Sequence, residues 1–144
     1  MLFFLKNHRL TRCRSVIDVA VTDLLGFFEI SYCLLSLTYS KRLRVKSILS
    51  RYDSVDSCAS LFKSLGWSER ECWDLFGVYF KNHGDLRRIL TDYGFNGHPL
   101  RKNFPLSGYV EVRYSSNKKR VTLEPLELSQ EFRSLDFSSP WLNI

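Results

Sequence analysis

Three groupings in this chain have residue types that chemistry uses. His83 and Asp85 come nearest to an acid–base pair. A catalytic histidine needs a nucleophile or a metal within reach, and the flanking sequence supplies neither at a recognisable spacing. A histidine followed by Gly84 at a turn is explained by conformation and capping alone. Glu69, Glu71 and Asp74 fall close enough on one helix for a carboxylate metal site. Acids in a first helical turn also offset the helix dipole, and Ser68 with Glu71 has the spacing of a capping box, so structural roles are expected. Cys13, Cys33, Cys58 and Cys72 are scattered, with none of the short paired spacings that zinc or iron–sulfur sites use. Cys33 and Cys58 stand in apolar runs, where a buried free thiol is the default. No catalytic, metal-binding or cofactor-binding residue is assigned.

Arginine is the sharper signal. Arg87-Arg88 and Arg101-Lys102 use arginine at three of four positions, where a merely solvated surface would accept lysine equally well. Guanidinium groups favour bidentate contacts with carboxylates, so buried pairing or an interface is expected there. Gly94-Phe95-Asn96-Gly97 matches the bare Gly-x-x-Gly that clamps nucleic-acid backbone in KH domains. That loop joins two helices, whereas here His98-Pro99 follows and opposes a helix start.

The elements that must position these residues are read from periodicity. A helix end reaches about His8, and Val16 to Val21 is a strand by its branched residues. Phe28, Ile30, Tyr32 and Leu34 alternate with Glu29, Ser31 and Cys33, a strand with one buried face. Arg42 to Lys46 alternates again, with Leu43 and Val45 inward and Arg42, Arg44 and Lys46 outward. Short links make the three an antiparallel meander. Val55, Cys58, Ala59, Phe62 and Leu65 recur at helical spacing, with Gly66 as cap. A second helix is expected to start at Ser68, stapled by Trp67 on Cys72, and to end at Gly77. Val78 to Phe80 is a short strand, and Leu86 to Leu90 has no clear assignment. Residues 92–108, punctuated by Gly94, Gly97, Pro99, Pro105 and Gly108, form a structured loop. Tyr109 to Tyr114 and Val121 to Leu126 form a hairpin about Ser115 to Lys118. Beyond Glu127 the large rings Phe132, Phe137 and Trp141 follow no period, and a lone monomer could not easily bury them.

A chain of 144 residues with 44% hydrophobic and 25% charged content fits one globular domain. Its 15% aromatic share favours interfaces, and its net charge of +6 favours an acidic partner, nucleic acid or an anionic surface. No apolar run is long enough to span a bilayer. Met1 to Leu5 is too short for a signal peptide, and there is no amphipathic leader, so the chain is expected to function where it is made.

Taken in order, the motifs resemble the 30-kDa subunit family of the proton-pumping NADH:ubiquinone oxidoreductase, respiratory complex I. Its mitochondrially encoded members are called NADH dehydrogenase subunit 9, and its bacterial members the C-type subunit. The family signature Glu-Arg-Glu-x-aromatic-Asp-x-aromatic-Gly is met by Glu69, Arg70, Glu71, Trp73, Asp74, Phe76 and Gly77. It continues through His83, Leu86 to Phe95, Gly97 to Lys102 and Phe104 to Tyr114, then Gln130 to Arg133 and Asp136 to Trp141. Residues 67–141 carry the strong likeness, and 11–48 a looser one. The wording around Thr91 to Phe95 and Asn103 to Gly108 is similar to mitochondrial and α-proteobacterial members. Two features depart from the family: Asn103 stands where an acid is usual, and the N-terminal helical part is reduced to a few residues.

The resemblance implies a two-layer α+β domain, a mixed and mostly antiparallel sheet packed on helices over 1–108, with a hairpin and an extended C-terminal arm over 109–144. It implies a non-catalytic subunit of the peripheral arm, on the matrix side of the mitochondrial inner membrane, encoded in the mitochondrial genome. Such a subunit packs on the 49-kDa quinone-site subunit and other peripheral-arm subunits, and binds neither nucleic acid nor the bilayer. NADH, FMN, iron–sulfur clusters and ubiquinone would belong to other subunits. Interface candidates are Glu69, Arg70, Glu71, Trp73, Asp74, Gly77, His83, Arg87, Arg88, Arg101, Lys102, Phe132, Phe137 and Trp141. The rival reading is a basic RNA-binding or organellar ribosomal protein, resting on charge and on Arg42, Arg44 and Lys46. A free-standing small enzyme ranks last.

Overall fold

The computed structural model describes residues 1–135 and Trp141, and Phe137 lies outside the described residues. The chain divides into two compact units, Met1–Leu106 and Ser107–Ile144. The class is α+β, with antiparallel sheets.

In the first unit a short helix α1 (Leu2–Asn7) precedes the meander β1 (Ser15–Asp23), β2 (Phe27–Ser36) and β3 (Lys41–Ser50), paired antiparallel in that order. The register runs from Asp23 opposite Phe28 to Ser15 opposite Leu35, with a bulge between Val16 and Asp18. The expected alternation holds on β2, whose Phe28, Ile30, Tyr32 and Leu34 are all buried. Because successive side chains take opposite faces, this one strand supplies the middle of the core. Then come β4 (Ser54–Asp56), α2 (Leu65–Phe76) and β5 (Tyr79–Lys81). β4 and β5 pair in parallel, with Val55 opposite Phe80, and residues 57–78 make the long crossover that a parallel pair needs. α2 lies against the buried face of the meander. Its Leu65 and Cys72 are buried, the Cys72 thiol sits 4.0 Å from the Val19 carbonyl, and Phe76 meets Phe28 edge-on at 6.5 Å.

Two expectations fail here. The spacing of Val55, Cys58, Ala59, Phe62 and Leu65 does not make a helix. Val55 is held in β4, the Ser57 amide donates to the Lys81 carbonyl at 2.8 Å, and only a single turn forms where Leu61 and Phe62 donate to Cys58. Nor does a helix start at Ser68. α2 begins at Leu65, so Ser68 and Glu71 lie inside it and form no capping box, and Trp67 is no staple. Gly66 is a helical residue rather than a cap. Burial of Phe62 and Leu65 draws the start inward, since an apolar contact outweighs a cap of about 1 kcal/mol.

The second unit contains the expected hairpin, β6 (Val110–Ser115) paired with β7 (Arg120–Pro125). Leu126 to Leu135 has neither helix nor strand.

Candidate functional site

The C-terminal half of α2 is the centre around which the 83–104 segment is wound. Asp74 is completely buried, and its Oδ2 accepts three consecutive backbone N–H groups, from Ile89 at 3.1 Å, Leu90 at 2.7 Å and Thr91 at 3.0 Å. Its Oδ1 takes the Thr91 hydroxyl at 2.7 Å, with the Arg88 guanidinium 3.6 Å away. Successive N–H groups turned to one point make a small anion nest, here filled by the protein's own carboxylate. Burial alone would raise this carboxyl, but hydrogen bonds from the Thr91 hydroxyl and three amides hold it below the usual carboxylate range. Arg88 completes the knot by donating to the Gly97 carbonyl at 2.8 Å and lying over the Phe95 ring. This is why the 86–90 stretch shows no periodicity: its backbone bonds go to one side chain, not to a ladder.

A helix leaves its last four carbonyls without internal partners. In α2 each finds one. Gly77 donates to Trp73 at 2.8 Å, His98 Nδ1 to Asp74 at 3.0 Å, Leu100 to Leu75 at 3.1 Å, and Arg101 Nε to Phe76. A ring nitrogen facing a carbonyl must carry the proton, which fixes the His98 tautomer. Burial keeps His98 below the ordinary imidazole value. Gly77 turns left-handed at φ 77°, and a Cβ there would lie 2.2 Å from the Arg101 guanidinium and 2.6 Å from His98 Nε2. Any side chain there would have to displace the Arg101 guanidinium and the His98 ring. The Arg101 side chain also lies 5.5 Å from the Phe28 ring centre.

The other end of α2 has a second buried carboxylate. Glu69 accepts the Cys58 amide at 2.8 Å and the Ser57 hydroxyl, pinning the turn before the helix. It neither offsets a first-turn dipole nor belongs to a metal-like cluster with Glu71, which is exposed. His83 donates from Nε2 to the Gly66 carbonyl at 3.2 Å, accepts the Asp85 amide on Nδ1 at 3.1 Å, and sits 3.8 Å from Glu69 Oε2. Both ring nitrogens are engaged in structure, and the Asp85 carboxylate turns to Arg87 instead. Trp73 stands edge-on to Tyr79 and His98.

A third buried carboxylate, Asp23, was missed by the sequence reading. It accepts amides from Leu25 and Lys102 at 3.0 Å each and faces Arg51 at 3.5 Å, so it ties the β1–β2 turn to the 98–104 loop. Burial raises its carboxyl, and the Lys102 and Leu25 amides with Arg51 bring it below the usual range. Only its Leu25 half is local, an Asp at a strand end that bonds the amide two residues on, and the Lys102 half leaves no mark in the neighbouring sequence.

Outward from these knots the surface is cationic and aromatic. Arg70 donates to the Arg87 carbonyl at 3.0 Å and lies 5.0 Å over the exposed Trp67 ring. Arg87 is exposed and pairs with Asp85 at 2.8 Å. With Arg88, Asp92 and Tyr93 these arginines line an open cleft of about 660 Å³. Lys102 is exposed and contributes its amide rather than its charge. Phe132 and Trp141 are exposed in the second unit.

Such carboxylates hold backbone in place, and their lone pairs are taken up by doing so. Among the described residues no three His, Cys, Asp or Glu side chains are placed to hold a metal. All four cysteines are free, and burial, with Glu71 and Glu69 nearby, pushes the Cys72 thiol up to about 12. A thiol so high is a poor nucleophile and a poor ligand. Among the described residues no helix is long and apolar enough to cross a membrane.

Comparison with known proteins adds a second line. Residues 1–110 match the family described as respiratory-chain NADH dehydrogenase, 30 Kd subunit. The chain is 56% identical to NADH-ubiquinone oxidoreductase subunit 9 of Reclinomonas americana over 97% of its own length and 70% of that protein's. It is 56% identical to NADH dehydrogenase [ubiquinone] iron-sulfur protein 3 of Arabidopsis thaliana, over 98% of its own length and 76% of that protein's. Against subunit 9 of Prototheca wickerhamii it is 52% identical, over 97% and 74%.

Proposed function

Because this chain belongs to the 30-kDa subunit family of the respiratory-chain NADH dehydrogenase, we propose that it is a non-catalytic core subunit of complex I. It occupies the peripheral arm on the matrix side of the mitochondrial inner membrane and packs on the 49-kDa quinone-site subunit. It supports assembly, and through assembly the transfer of electrons from NADH to ubiquinone. The chain binds no flavin, nucleotide or cluster of its own, and its mitochondrial setting is supported by ubiquinone-reducing relatives from the eukaryotes Reclinomonas americana and Arabidopsis thaliana.

One observation carries the reading: the family signature is spent on rigidity. Glu69 and Asp74 fix loops, Gly77 admits Arg101 and His98 to the helix end, and Arg88 locks the 88–97 segment. What remains outward is Arg70, Arg87, Trp67 and Tyr93, side chains of the kind that anchor interfaces. A preorganised surface of this composition is suited to docking, because little further ordering is needed when a partner arrives.

The test is migration on a native gel. A tagged chain should run with a membrane-bound complex that oxidises NADH. Migration with ribosomes, or as a free monomer in cells that contain the complex, would refute the reading. Metal and flavin analysis of the purified chain should find neither in stoichiometric amount, and finding either would overturn the cofactor-free role.

A further inference from the structure

The meander ends on β3, and that edge is long. β3 runs Lys41–Ser50 and pairs only with β2. Apart from that ladder, no hydrogen bond from the described residues reaches the backbone of 41–49. At about 3.3 Å per residue the open edge is roughly 33 Å long, with about half its N–H and C=O groups turned away from β2.

Its side chains sort by face. Arg42, Arg44 and Lys46 lie opposite Leu35, Cys33 and Ser31 on the outward face of the sheet, and Lys46 alone of the three has an ion pair among the described residues, with Glu29 at 2.9 Å. On the other face, beside the same edge, Leu2, Phe3, Tyr32, Val45, Val55 and Leu61 line an apolar groove of about 280 Å³.

We infer that the β3 edge accepts an extended segment of a neighbouring subunit as a fourth strand, one that alternates acidic with apolar side chains. Its backbone completes the ladder, its acidic side chains face Arg42, Arg44 and Lys46, and its apolar ones enter the groove. Strand addition takes affinity from main-chain bonds and specificity from alternate side chains, which matches an edge charged on one face and apolar on the other. A second copy of this chain fits poorly, since β3 against β3 would oppose cation to cation. RNA fits poorly too. β3 has no aromatic ring for base stacking, and phosphates would leave the edge amides and the groove unfilled. The inference deepens the subunit reading and rests on it for the existence of the neighbour.

Amide hydrogen exchange of 41–49 should be compared in the full chain alone and in the assembled complex. The amides turned away from β2 should exchange quickly in the free chain and slow by at least about tenfold on assembly. Equal exchange in both states, fast or slow, overturns the proposal. The double variant Arg42→Glu, Arg44→Glu changes only exposed side chains that have no ion pair among the described residues. It should melt like the wild type and lose most of its incorporation into the complex, and undiminished incorporation overturns the acidic partner. If a single-stranded RNA oligomer gives the same edge protection as assembly, the proposal also fails. Wild-type chain that never enters the complex defeats the subunit reading itself, a separate result.

Discussion

The two units bury their apolar residues very differently. Every fully buried side chain among the described residues lies in Met1–Leu106, around Phe28, Ile30, Leu34, Leu65 and Phe80. The second unit is patterned just as clearly. Cross-strand pairs Val110–Pro125, Val112–Leu123 and Tyr114–Val121 share one face of the hairpin, opposite the face of Glu111–Glu124 and Arg113–Thr122. Yet Val112, Tyr114, Val121 and Leu123 are all more than 60% exposed. A two-stranded hairpin is marginal in water without something to pack on. The first unit is therefore held by its own core and buried carboxylates, while the second has a binding pattern without a core. Amphipathic alternation announces that a face will be covered, and only burial tells whether the chain covers it itself.

The comparison breaks first at Asp74. Asp74→Asn can keep an oxygen on the three amides, but its NH2 then faces the Arg88 guanidinium and the charge is lost, so it should cost about 2–4 kcal/mol of unfolding free energy. The effect should fade with acid. Asp74 and Asp23 are held below their ordinary values, so their stabilisation is fully present above the unfolded value of about 3.9 and is lost as pH falls through the folded one. Neutral, depressed His98 acts in the same direction, beginning below about pH 6.5. Denaturant melts from pH 7 to pH 3 should show the wild type converging on the variant. A gap that stays constant would mean that Asp74 acts through packing rather than charge.

Gly77→Ala comes next. A left-handed backbone and a Cβ 2.2 Å from the Arg101 guanidinium should cost at least about 1–3 kcal/mol, and Arg101→Ala in the same chain should relieve part of it. Additive losses would show that the close approach is relaxed in solution. The smallest stability effect belongs to the tail. Deleting 127–144 should move the melt of the chain by no more than about 0.5 kcal/mol while abolishing incorporation into the complex, because Phe132 and Trp141 are exposed. A large loss of stability would place those rings in the chain's own core.

Much of this was readable from residues alone. The meander, the strict alternation of β2, the left-handed stop at Gly77 and the hairpin all follow from local pattern, because the period of two and the freedom of glycine act within a few residues. The errors share one cause. Ser68 and Glu71 satisfy a capping rule, and Val55 to Leu65 a helical spacing, but Leu65 and Phe80 bury elsewhere and override both. The carboxylate knots were the least legible part. Asp74 with 89–91, and Asp23 with Lys102, join positions far apart in sequence, and no local pattern records which amides will converge on an acid. The signature residues were found without the work they do.

The central claim is that this chain docks and does not react, and Arg88→Ala tests it most directly. Arg88 joins the Asp74 knot to the Gly97 carbonyl at the lining of the exposed cleft. The amount of assembled complex and the NADH:ubiquinone turnover per assembled complex should be measured together. The account predicts a several-fold fall in assembled complex with unchanged turnover in what assembles. Normal assembly with slowed turnover would contradict it and give this chain a direct part in the chemistry.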